Sequence, residues 1–406
     1  MGKRCNAWES LTGHWARAKL AQRFAIAATL VFAGSGAGVG QAQETVKIGV
    51  ILPLSGPAAA IGQENLNGIQ YAVDERGGQI AGKRIELVVA DSQNSPNTGL
   101  SEVRRLVENE KVIAVVGSLN SAEALAIHPY TTRAEVPYVS GGIAADLTGA
   151  RKSLYTFRAS FAAGQVETPL AQFLIRRGLK SGILLGSDYA AGHDAVNAVA
   201  ANLKRFGGAV VDEIFPRPGE TDYAPYFSRI TDAKADFVYG FFFGGDVLRF
   251  IQQYRSFGIK LPLDITTAAI ASAGVAQALG PSVDGILSAE EWVWTADDPA
   301  SKAFVEGYTK KFGMQPQEIS ADGYIEGRSV IDAIAALNGK VANGTELAKA
   351  MQKVRFPIPG QEFRFDANNN PIVSLRLVQW AWQDGKAVPM ILDTLHNIGQ
   401  DGNPVP

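Results

Sequence analysis

The chain has 406 residues, 46% hydrophobic and 19% charged, with 38 Lys+Arg against 40 Asp+Glu. That balance excludes a disordered chain and a membrane bundle, and the scattered charges, with no basic tract, argue against nucleic acid as a partner. The length accommodates two domains of ordinary size, each with its own core.

Residues 1–42 stand apart. Lys3, Arg4, Arg17, Lys19 and Arg23 precede an apolar run over 24–32, and small residues follow to Gly40-Gln41-Ala42. This is the layout of a secretory signal peptide with cleavage expected after Ala42. The apolar run is too short to span a bilayer. Cys5 lies ahead of it, so the exported part is expected to have no disulfide and no thiol chemistry. Without the leader, 33 Lys+Arg face 39 Asp+Glu, formally −6. A soluble exported protein is expected.

A strand is predicted over 46–52, then the loop Pro53-Leu54-Ser55-Gly56-Pro57 and a helix over 65–76 that stops at Gly77-Gly78. A second strand covers 84–90. Ser95-Pro96 then supplies a cap and a first-turn proline for the next helix. The stretch 111–148 follows. Its strand, 112–116, is rich in β-branched residues and ends at Gly117-Ser118; Ser121 is expected to cap a helix to about residue 133. A short strand, 137–140, stops at Gly141-Gly142. Strand, turn, helix, strand is a βαβ unit, and open parallel sheets bind ligands at its carboxyl-end turns. Backbone N–H groups, the hydroxyls of Ser118, Ser121 and Ser140 and a helix N-terminus can hold a carboxylate there, with Glu123 as the only charged side chain. Two ordinary strand-to-helix turns fit the same residues.

After a strand at 155–158 the rhythm restarts. Helices are predicted at 164–177, 193–206, 225–234 and 246–257, alternating with strands at 181–185, 210–215, 236–241, 261–265 and 285–288. Helices at 299–312, 320–337 and 345–354 follow. The tail reads as a hairpin of 361–366 with 373–380 around residues 366–370, with a further turn at 383–386. The expected class is α/β, two doubly wound Rossmann-like lobes forming a clamp.

Signals for catalysis are missing. His128, His193 and His396 are far apart, and no HExxH, GxSxG, SxxK or Walker A pattern occurs, so no metal, no cofactor and no enzyme are expected. Glu290-Glu291 ends a strand, where neighbours face opposite ways; one solvated carboxylate and one at a hinge is the expectation. Phe241, Phe242, Phe243, Trp292, Trp294 and Tyr189 fall at carboxyl ends of strands. Singly they suit a core; together they suit an aromatic-lined cleft.

Segments 46–62 (VKIGVILPLSGPAAAIG), 67–78 with Ala81-Gly82, 115–121, Asp146-Leu147-Thr148, 155–158, 188–192 and 236–239 carry a resemblance. They are similar to the leucine/isoleucine/valine-binding branch of periplasmic substrate-binding proteins, which deliver solutes to ABC importers. The resemblance implies two lobes, 43–160 plus 289–372 and 161–288 plus 373–406. Crossovers would lie near 159–161, 288–290 and 372–375, and hinge motion would close the lobes on the solute. It also implies a monomer serving membrane permease subunits. The family's carboxylate-binding serine falls on Ser121, beside Leu119 and Asn120. Its second turn falls on Gly141, Gly142 and Ile143, its wall tyrosine on Phe243 and its first-loop tyrosine on Ile61, while Tyr189 is retained. The acid that partners an ammonium falls near Thr266-Thr267, and an aspartate of some members falls on Ala163. Isoleucine, threonine and alanine leave an ammonium without charged acceptors, at a desolvation cost of several kcal/mol. The expected solute is therefore a carboxylic acid with an apolar or aromatic body and no α-ammonium. An amino acid is the alternative, with Asp188, Glu290 or Asp264 as counter-charge; a ligand-sensing module is the other class.

Overall fold

A computed structural model describes residues 44–242, 245–265, 270–271 and 274–406. In β1 (Thr45–Leu52), Val46, Ile48, Val50 and Leu52 enter one core cluster and Ile51 the other, the period-two burial of a strand covered on both faces. β1 pairs in parallel with β3 (Lys83–Asp91) and β4 (Ala114–Gly117), and β2 (Gln79–Ile80) folds back on β3. With β5 (Tyr138–Ser140) and β6 (Thr156–Arg158), the order among the described residues is β2-β3-β1-β4-β5-β6. α1 (Ala59–Asp74) covers one face; α2 (Pro96–Glu108) and α3 (Ser121–Arg133) cover the other. Helix α1 starts at Ala59 rather than near residue 65, because a 3-10 turn at Gly56–Ala58 leads straight into it. Ser95 accepts the Thr98 N–H, as its position before Pro96 predicts.

The chain leaves this sheet after Arg158 and builds a second. The helices are α4 (Glu167–Arg176), α5 (Ala190–Arg205), α6 (Ala224–Asp232), α7 (Gly245–Ser256) and α8 (Val275–Leu279). The parallel strands are β7 (Ser181–Gly186), β8 (Ala209–Ile214), β9 (Phe237–Phe241), β10 (Leu263–Ile265) and β11 (Leu287–Glu290). After β11 the chain returns to the first lobe as α9 (Pro299–Phe312), α10 (Glu318–Ala336) and α11 (Gly344–Met351), whose apolar faces enter the β1 cluster. β12 (Arg355–Ile358) and β13 (Gln361–Arg364) pair with each other. A third crossing leads to β14 (Val373–Gln383) and β15 (Lys386–Ile398), which extend the second sheet to β15-β14-β11-β10-β9-β7-β8 among the described residues.

The tail corrects one expectation. Segment 361–366 does not pair with 373–380; a single bridge joins Phe365 to Pro371. The intervening loop is tied elsewhere. Asn369 donates to the carbonyls of Ser153 and Thr156, and Asn370 accepts from Thr148 and Arg158. That frees β14 to pair with β11 and β15 instead.

Two features aim the fold at one crevice. In each sheet the strand order reverses, between β1 and β4 and between β7 and β9, and such switch points open a crevice at the carboxyl ends. Helices α1 and α10 meet backbone to backbone: a Cβ at Gly323 would lie 2.1 Å from the Asn65 carbonyl, and one at Gly68 would lie 2.1 Å from that of Ser320. This contact fixes the polar face of α10 beside the end of the first sheet.

Candidate solute-binding site

The turn after β4 depends on unusual backbone. Gly117 has φ +106°, and a Cβ there would stand 2.3 Å from the Ile51 carbonyl; Ser118 has φ +67°. Asn120, not Ser121, caps α3: its Oδ1 accepts the N–H groups of Ala122 (2.8 Å) and Glu123 (3.4 Å). Ser121 occupies the first helical position and does other work. Its Oγ accepts the N–H groups of Ile143 and Ala144, each at 3.1 Å, stitching the first turn to the second. The hydroxyl hydrogen is thereby left to donate elsewhere. Among the described residues the N–H groups of Leu119, Asn120 and Ser121 meet no protein acceptor. Three unpaired donors and a hydroxyl at a helix N-terminus form an anion-binding arrangement.

The second turn is the converse. Arg158 is completely buried and donates to the carbonyls of Gly142 and Ala144 (2.6 Å to the latter), with Nε on Asn370 Oδ1 at 3.0 Å. Burial lowers its pKa to about 9, with the Glu291 charge acting the other way. Ser160 donates to the Gly141 carbonyl (2.9 Å), and the Ala163 N–H to that of Ile143 (2.8 Å). Every carbonyl from Gly141 to Ala144 therefore already accepts a hydrogen bond. Donors converge on the crevice, while each of these carbonyls already holds at least one hydrogen bond.

Behind this turn lies a set of carboxyls. Glu318, Asp322 and Glu326 follow one another at helical spacing on α10, all buried. Glu326 Oε1 lies 3.1 Å from where a Cβ on Gly141 would stand, and Asn65 donates to its other oxygen at 3.1 Å. Glu290 is wholly buried rather than solvated, because β11 continues through it into the sheet and turns its carboxyl toward Glu318. Glu291 also turns inward: its Oε2 is buried, its N–H donates to Glu318, and its carbonyl accepts from Arg376. Burial, then the Glu318 charge, holds Glu290 and Glu291 well above the carboxylate range. Burial, then the Glu291 charge, does the same to Asp322. Burial pushes Glu318 up to about 7 and Glu326 to about 8. All five shifts favour the neutral carboxyl, so these groups oppose an anion at Ser121 less than ordinary carboxylates would.

The remaining predicted residues divide. Leu119 and Ile61 are buried in the β1 cluster, Ile61 on the first turn of α1. Ile143 packs toward the second lobe. Gly142 donates to Ser140 Oγ at 3.0 Å. Tyr189 opens α5, half-buried, its ring 6.4 Å from that of Phe241; burial, then the Asp246 charge, raises its hydroxyl pKa. Phe243 and Thr267 lie outside the described residues. Phe242 and Trp292 are core: Phe242 stacks on Phe250 at 4.5 Å, and Trp292 meets Phe304 edge-on at 5.4 Å. Asp188 is exposed and bonded to His193 at 2.8 Å. Sequence reasoning passed over Arg158 and the α10 acids. A lone arginine in the apolar run TFRA and acids spaced by four in a buried helix were the available signals.

A family profile described as periplasmic binding protein matches residues 45–386. The chain belongs to the periplasmic binding protein family. It is 33% identical over 325 residues to Leu/Ile/Val-binding protein homolog 6 of Brucella melitensis, covering 77% of this chain and 82% of that one. A solute-binding protein of an ABC transporter from R. palustris, solved in complex with benzoate, is 27% identical with a TM-score of 0.82, over 89% of this chain and 100% of that one. A leucine-binding protein from Thermotoga maritima is 25% identical with a TM-score of 0.78, over 86% and 99%. The two-lobed, three-crossover architecture is thus that of a type I periplasmic binding protein. The protein is a substrate-binding component of an ABC transporter, a class that carries small molecules to permease subunits and is not an enzyme class. Periplasmic binding proteins are exported. No described helix is long and apolar enough to cross a membrane.

Proposed function

We propose that this protein captures a small carboxylic acid with an apolar or aromatic body between its lobes and hands it to an importer's permease. It acts as a monomer after its leader is removed at Ala42. One observation carries the proposal: the crevice presents the unpaired N–H groups of Leu119, Asn120 and Ser121 and the Ser121 hydroxyl, while the carbonyls of Gly141 to Ala144 are occupied. A carboxylate accepts from such donors, whereas an ammonium entering the same place would face unpaired N–H groups and give up its water for carbonyls that already hold a hydrogen bond. The benzoate held by the R. palustris relative is an acid of this type. A second reading, an amino-acid solute, draws on Asp264, which is buried at the centre of β10, and on the leucine-binding relative.

Ser121→Ala tests the head contact. It removes the donated hydrogen bond and the acceptor for Ile143 and Ala144, so acid binding should weaken by about 1–3 kcal/mol while the chain still folds. Calorimetry showing unchanged affinity would place the carboxylate elsewhere.

A further inference from the structure

The turn that offers its N–H groups to the solute has a carboxyl beneath it. Glu123 stands two places after Ser121 in the first turn of α3, where an acid is ordinarily exposed to water, yet it is wholly buried. Gly99 of α2 makes room for it: a Cβ there would lie 2.7 Å from Glu123 Cγ and 3.2 Å from Oε1. The hydroxyls of Ser92, just after β3, and of Ser118, in the head turn itself, lie beside the carboxyl. Both Glu123 oxygens, Ser118 Oγ and the Tyr138 hydroxyl are buried and unpaired. Charges around it are few. Asp91 of β3 is held by the N–H groups of Leu54 and Gln93, each at 2.9 Å, β5 presents the Tyr138 phenol, and among the described residues no cation acts on Glu123. An ionised carboxylate in that place lacks strong donors, so the neutral form suits it. Burial, supported by the Asp91 charge and opposed by the two hydroxyls, raises its pKa to about 7.

We propose that Glu123 is a positioning residue that carries a proton while the solute's carboxylate is bound, so that solute and proton are captured together and ionisation of Glu123 releases the solute. This rests on the carboxylate reading above and adds its control. The neutral carboxyl leaves the positive end of α3 and the N–H groups of Leu119, Asn120 and Ser121 to the solute. Ionised, it places a second negative charge in the same buried turn. The linkage runs both ways: the bound anion makes Glu123 hold its proton more tightly, and loss of that proton weakens the anion's hold by the same factor. Glu326 stands behind the second turn, against Gly141, whereas Glu123 belongs to the helix whose N-terminus binds the head. Affinity is therefore level below about 7 and falls as pH rises through that value.

Calorimetry of the exported chain with benzoate and isocaproate, both ionised throughout, tests it between pH 6 and pH 8.5. Affinity should fall at least about fivefold over that range. Repeating the titration at pH 7.5 in buffers of different ionisation heat should show uptake of about half a proton per solute. Glu123→Gln keeps the shape without the titration, so it should hold the pH 6 affinity at pH 8.5 and remove most of the uptake. Ser118→Ala takes away a hydroxyl that favours the ionised carboxyl, so it should move the midpoint of the fall to higher pH; this second variant decides the matter if the first does not fold. Equal affinity at pH 6 and pH 8.5, a full fall retained in Glu123→Gln, or an unmoved midpoint in Ser118→Ala would overturn the proposal and leave the head site standing. Binding of neither acid to the unmodified protein at any pH would overturn the carboxylate reading along with it.

Discussion

Replacing Arg158 with methionine should cost about 3–5 kcal/mol of stability and abolish solute binding. Its guanidinium serves the carbonyls of Gly142 and Ala144 and the amide oxygen of Asn370, so the change strands the buried Gly142 carbonyl and takes one donor each from Ala144, left with the Leu147 N–H, and Asn370, left with Thr148. Those acceptors belong to the second turn and to the loop before the third crossover, so the loss reaches both the site and the junction between lobes. Arg158→Lys should be intermediate, because an ammonium on a flexible stem cannot span all three. Urea unfolding reads the first effect and calorimetry the second. A methionine variant with wild-type stability would mean that those carbonyls find other donors.

Stability should fall as pH rises from about 5 to about 8, by a few kcal/mol in total. In the folded chain Glu326 keeps its proton up to about 8, against an ordinary value of 4.5. Between those values the folded state binds more protons than the unfolded one, so the contribution is complete below 4.5 and lost as pH passes through 8. Glu123, Glu167 and Glu318, each raised to about 7 by burial, act in the same direction. His128, whose pKa burial lowers, opposes them, since its unfolded form binds the extra proton below 6.5. Asp91, Asp236 and Asp298 are lowered and act only at more acid pH. Glu326→Gln keeps the acceptor for Asn65 without the titration, so it should flatten the profile and raise stability at pH 8. Urea midpoints that rise between pH 5 and pH 8 would contradict this account.

Much of the fold was legible because local signals and tertiary demands agree. The β-branched run of β4, the Ser95-Pro96 helix start and the glycine stops each specify a local geometry that the sheet then uses. The tail was misread because alternation marks strands without naming partners; β14 takes β11 and β15 once Asn369 and Asn370 are bound elsewhere. At the site, Ser121 was found but its role was not. A serine after asparagine can cap a helix or be its first residue, and only the approach of Ile143 and Ala144 decides which. Arg158 and Glu326 escaped because a buried charge is defined by its neighbours in space. Arg158 reaches Asn370 across more than half the chain, and Glu326 reaches Gly141 from a helix formed after the second crossover.

The most direct measurement is calorimetry with pairs of solutes that differ only in the amine: hydrocinnamate against phenylalanine, and isocaproate against leucine. The occupied carbonyls and unpaired N–H donors predict that each acid binds at least about tenfold more tightly than its amino acid. Micromolar binding of leucine or phenylalanine, with no heat from either acid, would contradict the account and shift the recognition of an ammonium to Asp264.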